Sequence, residues 1–122
     1  RDEAVLQALV GSALVDDPDS ACHDPPAFRV PNGCFLDIWR VFHGEPVFDP
    51  AAIRCPTLLV RGSADPTSTR SDALGLFDRL GAEERRYLEI ANGAHFLCAE
   101  RQTPQVFAAV AEFMSPLLAG AA

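Results

Sequence analysis

The first half of the chain has an apolar pattern that predicts two helices joined by a loop. Residues 2–14 carry apolar side chains at i, i+3/i+4 spacing, which predicts an amphipathic helix with this apolar side: Val5, Leu6, Leu9, Val10 and Ala13. Residues 15–33 are rich in Pro, Asp and Gly, and this composition predicts a loop. Residues 35–43 predict a short second helix, whose apolar stripe is Phe35, Ile38, Trp39 and Phe42.

The second half contains two short runs that predict strands. Residues 56–60 form a continuous apolar run closed by Arg61-Gly62, which is typical of a parallel strand buried on both faces. Residues 86–90 predict a second strand, closed by Asn92-Gly93. Because a helical pattern lies between the two runs, we expect a right-handed βαβ unit with parallel strands.

Each predicted strand is followed by a predicted helix. Residues 71–80 place Ala73, Leu76, Phe77 and Leu80 on one face, and Gly81 stands at the stop position just past the helix end. Thr103-Pro104 predicts the N-cap and first residue of a last helix, whose apolar face is Val106, Phe107, Val110, Phe113, Met114 and Leu117. The fold class is therefore α/β.

The predicted sheet is incomplete. Two parallel strands of this hydrophobicity need neighbours at their edges, because an uncovered edge leaves backbone groups unpaired. The chain also begins at Arg1, within the predicted first helix, rather than at a Met. We therefore expect another segment, on the same or a separate polypeptide, to pair with this one.

Composition narrows the possible functions. The 122 residues suffice for one domain by length, and 48% hydrophobic with 22% charged residues is typical of a folded protein. The formal net charge is -7, and every basic residue is arginine. Because these arginines are dispersed along an acidic chain, the sequence predicts no clustered basic surface that would bind nucleic acid. No apolar run approaches the ~20 residues of a membrane span. We expect neither a nucleic-acid partner nor a membrane span.

The cysteines and two of the histidines show no metal-binding spacing. The four cysteines lack any C-x-x-C pair, which argues against a zinc site or a thioredoxin-like motif: Cys22, Cys34, Cys55 and Cys98. We expect them to be buried or half-buried free thiols in a reducing compartment, the cytoplasm, although a disulfide stays open. His23 and His43 are expected to be ordinary surface or core residues.

Asp65 and His95 follow the two predicted strands. The carboxyl ends of parallel strands meet at one edge of the sheet, and adjacent strands stand roughly 4.8 Å apart, so these side chains can meet. A carboxylate that orients an imidazole there leaves the other ring nitrogen to take a proton from a nucleophile. The pair therefore predicts the acid and base of a catalytic triad. Taken singly, Asp65 could instead be a turn residue and His95 an ordinary loop residue.

These motifs resemble the C-terminal part of the α/β-hydrolase family. The family typically shows Pro-[TV]-Leu-Leu-Val-x-Gly-x-x-Asp on its seventh strand, matched by residues 56–65, and a Gly-x-His motif after its eighth, matched by 93–95. Its closing helix commonly ends near Phe-Met, matched by Phe113-Met114. The resemblance covers a little over half of the chain. It implies that the nucleophile lies upstream of Asp65 and that no metal or organic cofactor is needed.

No serine of this chain has the context of the family's nucleophile. None of them stands in Gly-x-Ser-x-Gly: Ser12, Ser20, Ser63, Ser68, Ser71 and Ser115. Cys34 lacks that pattern too. The resemblance therefore implies that the nucleophile and the oxyanion hole belong to a partner, the N-terminal part of the hydrolase.

The resemblance also divides the chain into two parts. Residues 48–122 correspond to the hydrolase core, and residues 1–47 correspond by position to a cap or lid. Phe35, Trp39 and Phe96 are candidates for an acyl pocket, although simple packing on the sheet stays open for each of them.

The function that we expect is hydrolysis of a small carboxylic ester through an acyl-enzyme, with Asp65 and His95 as acid and base. Several alternatives stay open. The same fold also serves thioesterases, lactonases, C–C hydrolases and acyltransferases. The chain could otherwise be a non-catalytic structural fragment, or a complete small βα binding module.

Overall fold

The computed structural model describes residues 3–17, 19–25 and 27–120. The chain divides into two compact units, Arg1–Phe48 and Asp49–Ala122. The sequence places its boundary between residues 47 and 48, and the role of the first part as a cap stays a prediction. None of the helices within the described ranges combines the length and apolarity that a membrane crossing requires.

The first unit contains the two predicted helices. Helix α1 spans Glu3–Asp16 and helix α2 spans Gly33–Phe42, with a short 3₁₀ turn at Ser20–Cys22 in the loop between them. Of the predicted apolar side of α1, Leu9 and Val10 are exposed and Ala13 is half-buried; the Val5 and Leu6 side chains lie outside the described part. The apolar stripe of α2 is exposed along its whole length.

A buried carboxylate holds the loop of the first unit. Asp17 is buried and accepts hydrogen bonds from the Arg29 backbone N–H at 2.7 Å and from the Arg29 Nε and Nη2 at 3.3 Å. The Arg29 side chain, with support from its backbone N–H, lowers the pKa of Asp17 from 3.8 to about 2. The Pro-rich loop is therefore closed by an ion pair between its two ends.

The second unit contains two parallel strands, which confirms that part of the prediction. Strand β1 spans Thr57–Gly62 and strand β2 spans Arg85–Ile90, in a register that pairs Thr57 with Arg85 and Gly62 with Ile90. The predicted full burial of the first strand is wrong. Its residues 57–60 are half-buried, and only Arg61 and Gly62, which were expected to close it, are buried. Burial is incomplete because no third strand lies beside these two in the described residues.

Helix α3, Arg70–Arg79, connects the two strands. It begins with a capping box, in which Thr69 and Asp72 bond each other's backbone N–H groups. Gly81 follows the helix as predicted, but close packing explains it better than the expected stop conformation. A Cβ at this position would lie 2.1 Å from the carbonyl oxygen of Ala51, so only glycine fits there.

Helix α4, Thr103–Ala119, closes the unit. Thr103 is its first residue rather than the predicted N-cap, which is Gln102, and the Thr103 hydroxyl donates to Leu97 O at 3.1 Å. Of its predicted apolar face only Val106 and Phe113 are buried. They share a small core with apolar residues of the rest of the unit: Ala73, Leu80, Ala82 and Ile90. Much apolar surface is left uncovered, including Phe107, Val110, Met114 and Leu118.

The four cysteines are free, as predicted, but the expected burial is wrong. Cys22, Cys34, Cys55 and Cys98 are all exposed. The cause is the same shortage of covering structure, because a thiol on a helix or turn becomes buried only when another layer packs over it.

Candidate active site

Asp65 and His95 contact each other at the carboxyl ends of the two strands. The Nδ1 of His95 lies 3.0 Å from the Oδ2 of Asp65, which is hydrogen-bonding distance and confirms the predicted contact. The parallel register is the reason, because Gly62 and Ile90 are partners and both loops leave the sheet at the same edge. The catalytic roles of the two residues stay predictions.

The Asp65 carboxylate is fixed by its own loop. Its Oδ1 accepts hydrogen bonds from the backbone N–H groups of Thr67 at 2.8 Å and Ser68 at 3.1 Å, and only 6% of the side chain is exposed. Burial raises the pKa of this carboxyl, but the hydrogen bonds from His95, Ser68 and Thr67 outweigh it and the pKa is lowered overall. Asp65 is therefore ionised at neutral pH.

The ionised carboxylate determines the tautomer of His95. A carboxylate only accepts hydrogen bonds, so the Nδ1 that faces it carries the ring proton and Nε2 keeps its lone pair. The His95 side chain is 46% exposed, and Nε2 has no hydrogen-bond partner among the described residues. This arrangement can accept a proton at Nε2 and stabilise the resulting imidazolium at Nδ1.

Two glycines let the loops approach closely enough for this contact. A Cβ at Gly62 would lie 2.2 Å from the carbonyl oxygen of Gly93, and the loops are joined by the Ala64 N–H, which donates to that oxygen at 2.9 Å. Asn92 makes the turn after β2 with a φ of 58°. Backbone packing therefore requires the glycine of the first motif, Gly62, whereas a Cβ at Gly93 would first meet the Leu97 side chain, at 2.3 Å.

Arg61 braces the loop that carries Asp65, although the sequence assigned it only to the strand end. Its buried guanidinium donates through Nε to Ser68 O at 2.6 Å and through Nη2 to Asp65 O at 3.2 Å. Its Nη1 forms an ion pair with Glu89 at 2.8 Å, so the buried charge is balanced. An arginine at the end of an apolar strand, facing a glutamate on the next predicted strand, is a signal that could have identified it.

Glu100 contacts the loop that carries His95, and the sequence did not indicate it. Its Oε2 accepts from the Ala94 backbone N–H at 2.8 Å, and its Oε1 accepts from the Phe96 backbone N–H at 2.9 Å. These two N–H groups flank His95 on either side. The short 3₁₀ turn at Leu97–Ala99 brings Glu100 back to the loop, and sequence periodicity does not predict such a turn.

Two open clefts border the His95 ring. One, of about 310 Å³, is lined by Asp65, His95 and apolar residues of β1 and α3. The other, of about 350 Å³, is lined by His95, Phe96, Cys98 and Val106 among others. The Phe96 ring packs edge-on against the His95 ring with centroids 5.3 Å apart. Of the three pocket candidates, Phe96 is thus beside the acid–base pair.

The other two pocket candidates, Phe35 and Trp39, lie on α2 in the first unit and are 58% and 55% exposed. Trp39 stacks on His43 with ring centroids 3.9 Å apart. Their part in a substrate pocket stays a prediction. Within the described ranges, His23 and His43 are exposed and no cluster of metal-binding side chains occurs.

No serine or cysteine among the described residues hydrogen-bonds to His95 Nε2. Of the serines beside the site, Ser63 accepts the Asn92 N–H on its hydroxyl at 2.9 Å, whereas Ser68 accepts from Arg61 Nε only through its backbone oxygen. No protein-family model, curated protein or solved structure matches the chain. The resemblance to α/β-hydrolases therefore rests on the sequence motifs and stays a prediction.

Proposed function

We propose that this chain is the C-terminal part of an α/β-hydrolase and supplies the acid and the base of its catalytic triad. One observation carries the proposal. Asp65 and His95 share a 3.0 Å hydrogen bond at the carboxyl ends of adjacent parallel strands, with the second ring nitrogen unengaged by the described residues. Asp65 is buried and held by backbone N–H groups, which suits a residue that orients a ring and stays ionised.

The proposed reaction is hydrolysis of a small carboxylic ester. A serine on the partner segment attacks the ester carbonyl while His95 Nε2 takes its proton, and Asp65 stabilises the imidazolium. The imidazolium then protonates the leaving alkoxide, which departs as the alcohol and leaves an acyl-enzyme. Water attacks the acyl-enzyme, again with His95 as base, and releases the acid. This sequence of steps uses no metal or organic cofactor.

The partner in this proposal is the segment that carries the nucleophile and the neighbouring strands. Its support is the half-buried β1 and the uncovered apolar side of α4, which together suit a missing covering layer.

Asp65 and His95 would serve thioester or lactone cleavage equally well, because the fold alone does not determine which bond is cleaved. A cytoplasmic location is also part of the proposal, and its support is that the four exposed cysteines are free thiols.

The test uses the assembled protein, by which we mean the product of the complete reading frame that encodes this chain, with any protein that copurifies. We expect it to react with a fluorophosphonate probe and to hydrolyse short-chain p-nitrophenyl esters. His95→Ala should abolish turnover, whereas His23→Ala and His43→Ala should leave kcat within a few-fold. A protein that hydrolyses esters normally without the His95 imidazole, or that neither reacts with the probe nor hydrolyses any ester, contradicts the proposal.

A further inference from the structure

The loop that carries His95 is held from both sides by one carboxylate. Glu100 accepts the Ala94 N–H at 2.8 Å on one oxygen and the Phe96 N–H at 2.9 Å on the other. These two N–H groups belong to the residues on either side of His95, and neither takes part in the pairing of the two strands. The His95 ring itself contacts Asp65. The backbone of the base is therefore fixed by a different residue from its ring.

A carboxylate is the side chain that this geometry requires. Two N–H donors face the same group, and only an ionised carboxyl offers two acceptor oxygens and no donor. Glu100 is half-buried, and its own backbone is held by Thr103, whose N–H donates to Glu100 O at 3.0 Å. The two hydrogen bonds that Glu100 accepts, which we call the clamp, are thus anchored to Thr103, the first residue of α4, rather than to a free loop.

We propose that Glu100 is a positioning residue for His95. Its carboxylate holds the backbone at residues 94 and 96, so that the ring keeps Nδ1 toward Asp65 and Nε2 toward the nucleophile. The catalytic meaning of this inference rests on the proposed function, whereas the clamp itself does not. Misplacing a catalytic group by about 1 Å can cost roughly 10²-fold in rate. Loss of the clamp should therefore lower kcat and leave KM almost unchanged, because Glu100 holds the base rather than the substrate.

The variant that tests the clamp is Glu100→Gln in the assembled protein. Glutamine keeps the size of the side chain and one acceptor oxygen, but its amide group turns a donor toward the second N–H. The matched control is Glu83→Gln, which removes the same charge from an exposed residue without side-chain hydrogen bonds in the described part of the chain. We expect Glu100→Gln to lower kcat by roughly 10- to 100-fold. The control, Glu83→Gln, should change kcat by less than about two-fold.

Two readouts separate positioning from simple stabilisation and do not depend on activity. Hydrogen exchange measured by mass spectrometry should be faster in Glu100→Gln for peptides that span residues 93–97. The downfield proton NMR signal of the His95 Nδ1–H, identified by its loss in Asp65→Asn, should shift or broaden in Glu100→Gln at temperatures well below unfolding. Both readouts should be unchanged in Glu83→Gln.

The outcomes distinguish failure of the inference from failure of the proposed function. If His95→Ala abolishes turnover but Glu100→Gln changes neither kcat nor the two readouts, the positioning role is wrong. If both readouts change while neither His95→Ala nor Glu100→Gln affects ester hydrolysis, the clamp stands and the proposed function is wrong. Should Glu100→Gln fail to fold, Glu100→Asp serves instead. It keeps the charge with a shorter reach, and normal kcat and exchange in that folded variant would overturn the inference.

Discussion

Asp65→Asn is the sharpest test of the acid–base pair because the structure lets asparagine replace aspartate with little distortion. The amide oxygen can keep the position of Oδ1 and accept the N–H groups of Thr67 and Ser68, at 2.8 and 3.1 Å. The amide nitrogen then replaces Oδ2, which lies 3.0 Å from His95 Nδ1. Since this nitrogen is a donor, Nδ1 must become an acceptor and the ring proton must move to Nε2.

The expected loss of activity is large compared with the expected loss of stability. A ring protonated at Nε2 cannot take the proton of the nucleophile, and this tautomer change costs about 10⁴-fold in kcat in serine proteases. That factor corresponds to about 5 kcal/mol at ~1.4 kcal/mol per factor of ten. Replacing charge-assisted by neutral hydrogen bonds should cost only about 1 kcal/mol of folding free energy. The variant should therefore be folded and nearly inactive.

The assay is steady-state hydrolysis of p-nitrophenyl butyrate by the assembled protein, with thermal unfolding measured in parallel. Asp78→Asn is the control, because Asp78 is an exposed residue of α3 whose side chain makes no hydrogen bond within the described residues. We expect the control to keep full activity. If the kcat of Asp65→Asn stays within about ten-fold of the parent's, the tautomer argument is refuted, and the role of Asp65 with it.

Three further predictions concern packing, association and charge. Gly62→Ala should cost at least ~2 kcal/mol of unfolding free energy and most ester hydrolysis, because its Cβ would lie 2.2 Å from Gly93 O; unchanged melting and kinetics would contradict this. Expressed without its partner segment, the chain should aggregate in size-exclusion chromatography, because β1 and α4 leave apolar surface open; a cooperatively unfolding monomer would be the opposite result. The pKa of Asp17, followed by carboxyl ¹³C NMR, should be about 2 and should rise in Arg29→Met. Because the folded-state pKa is lowered, this ion pair stabilises the first unit above pH 3.8 and is lost as the pH falls toward 2; a pKa near 3.8 in the parent protein would rule it out.

The order of elements could be predicted because each depends on local pattern. The apolar run at β1 and the periodicity of α3 and α4 act within a few residues of one another. Burial could not be predicted in the same way. Apolar periodicity shows which face of a helix or strand favours burial, but the covering layer must come from elsewhere. This is why Leu9, Trp39 and Phe107 are exposed in spite of their pattern.

The contact between Asp65 and His95 could also be predicted, because parallel strands bring their carboxyl ends to one edge. The groups that hold the two loops could not. Arg61 bonds carbonyl oxygens of a loop, and Glu100 bonds N–H groups that a 3₁₀ turn brings near it. Both interactions depend on the path of the backbone between elements, on which hydrophobic periodicity carries no information.

The supports of the acid–base pair have a consequence for how such a protein can be rearranged. Asp65 and His95 are 30 residues apart, and the described hydrogen-bond partners that hold them and their loops all belong to Asp49–Ala122. The pair and the residues that hold it are therefore encoded by one continuous stretch of sequence. Recombination that exchanged residues 1–48 for another sequence would leave each of these hydrogen bonds available, so the first unit can diversify while the contact between Asp65 and His95 is kept.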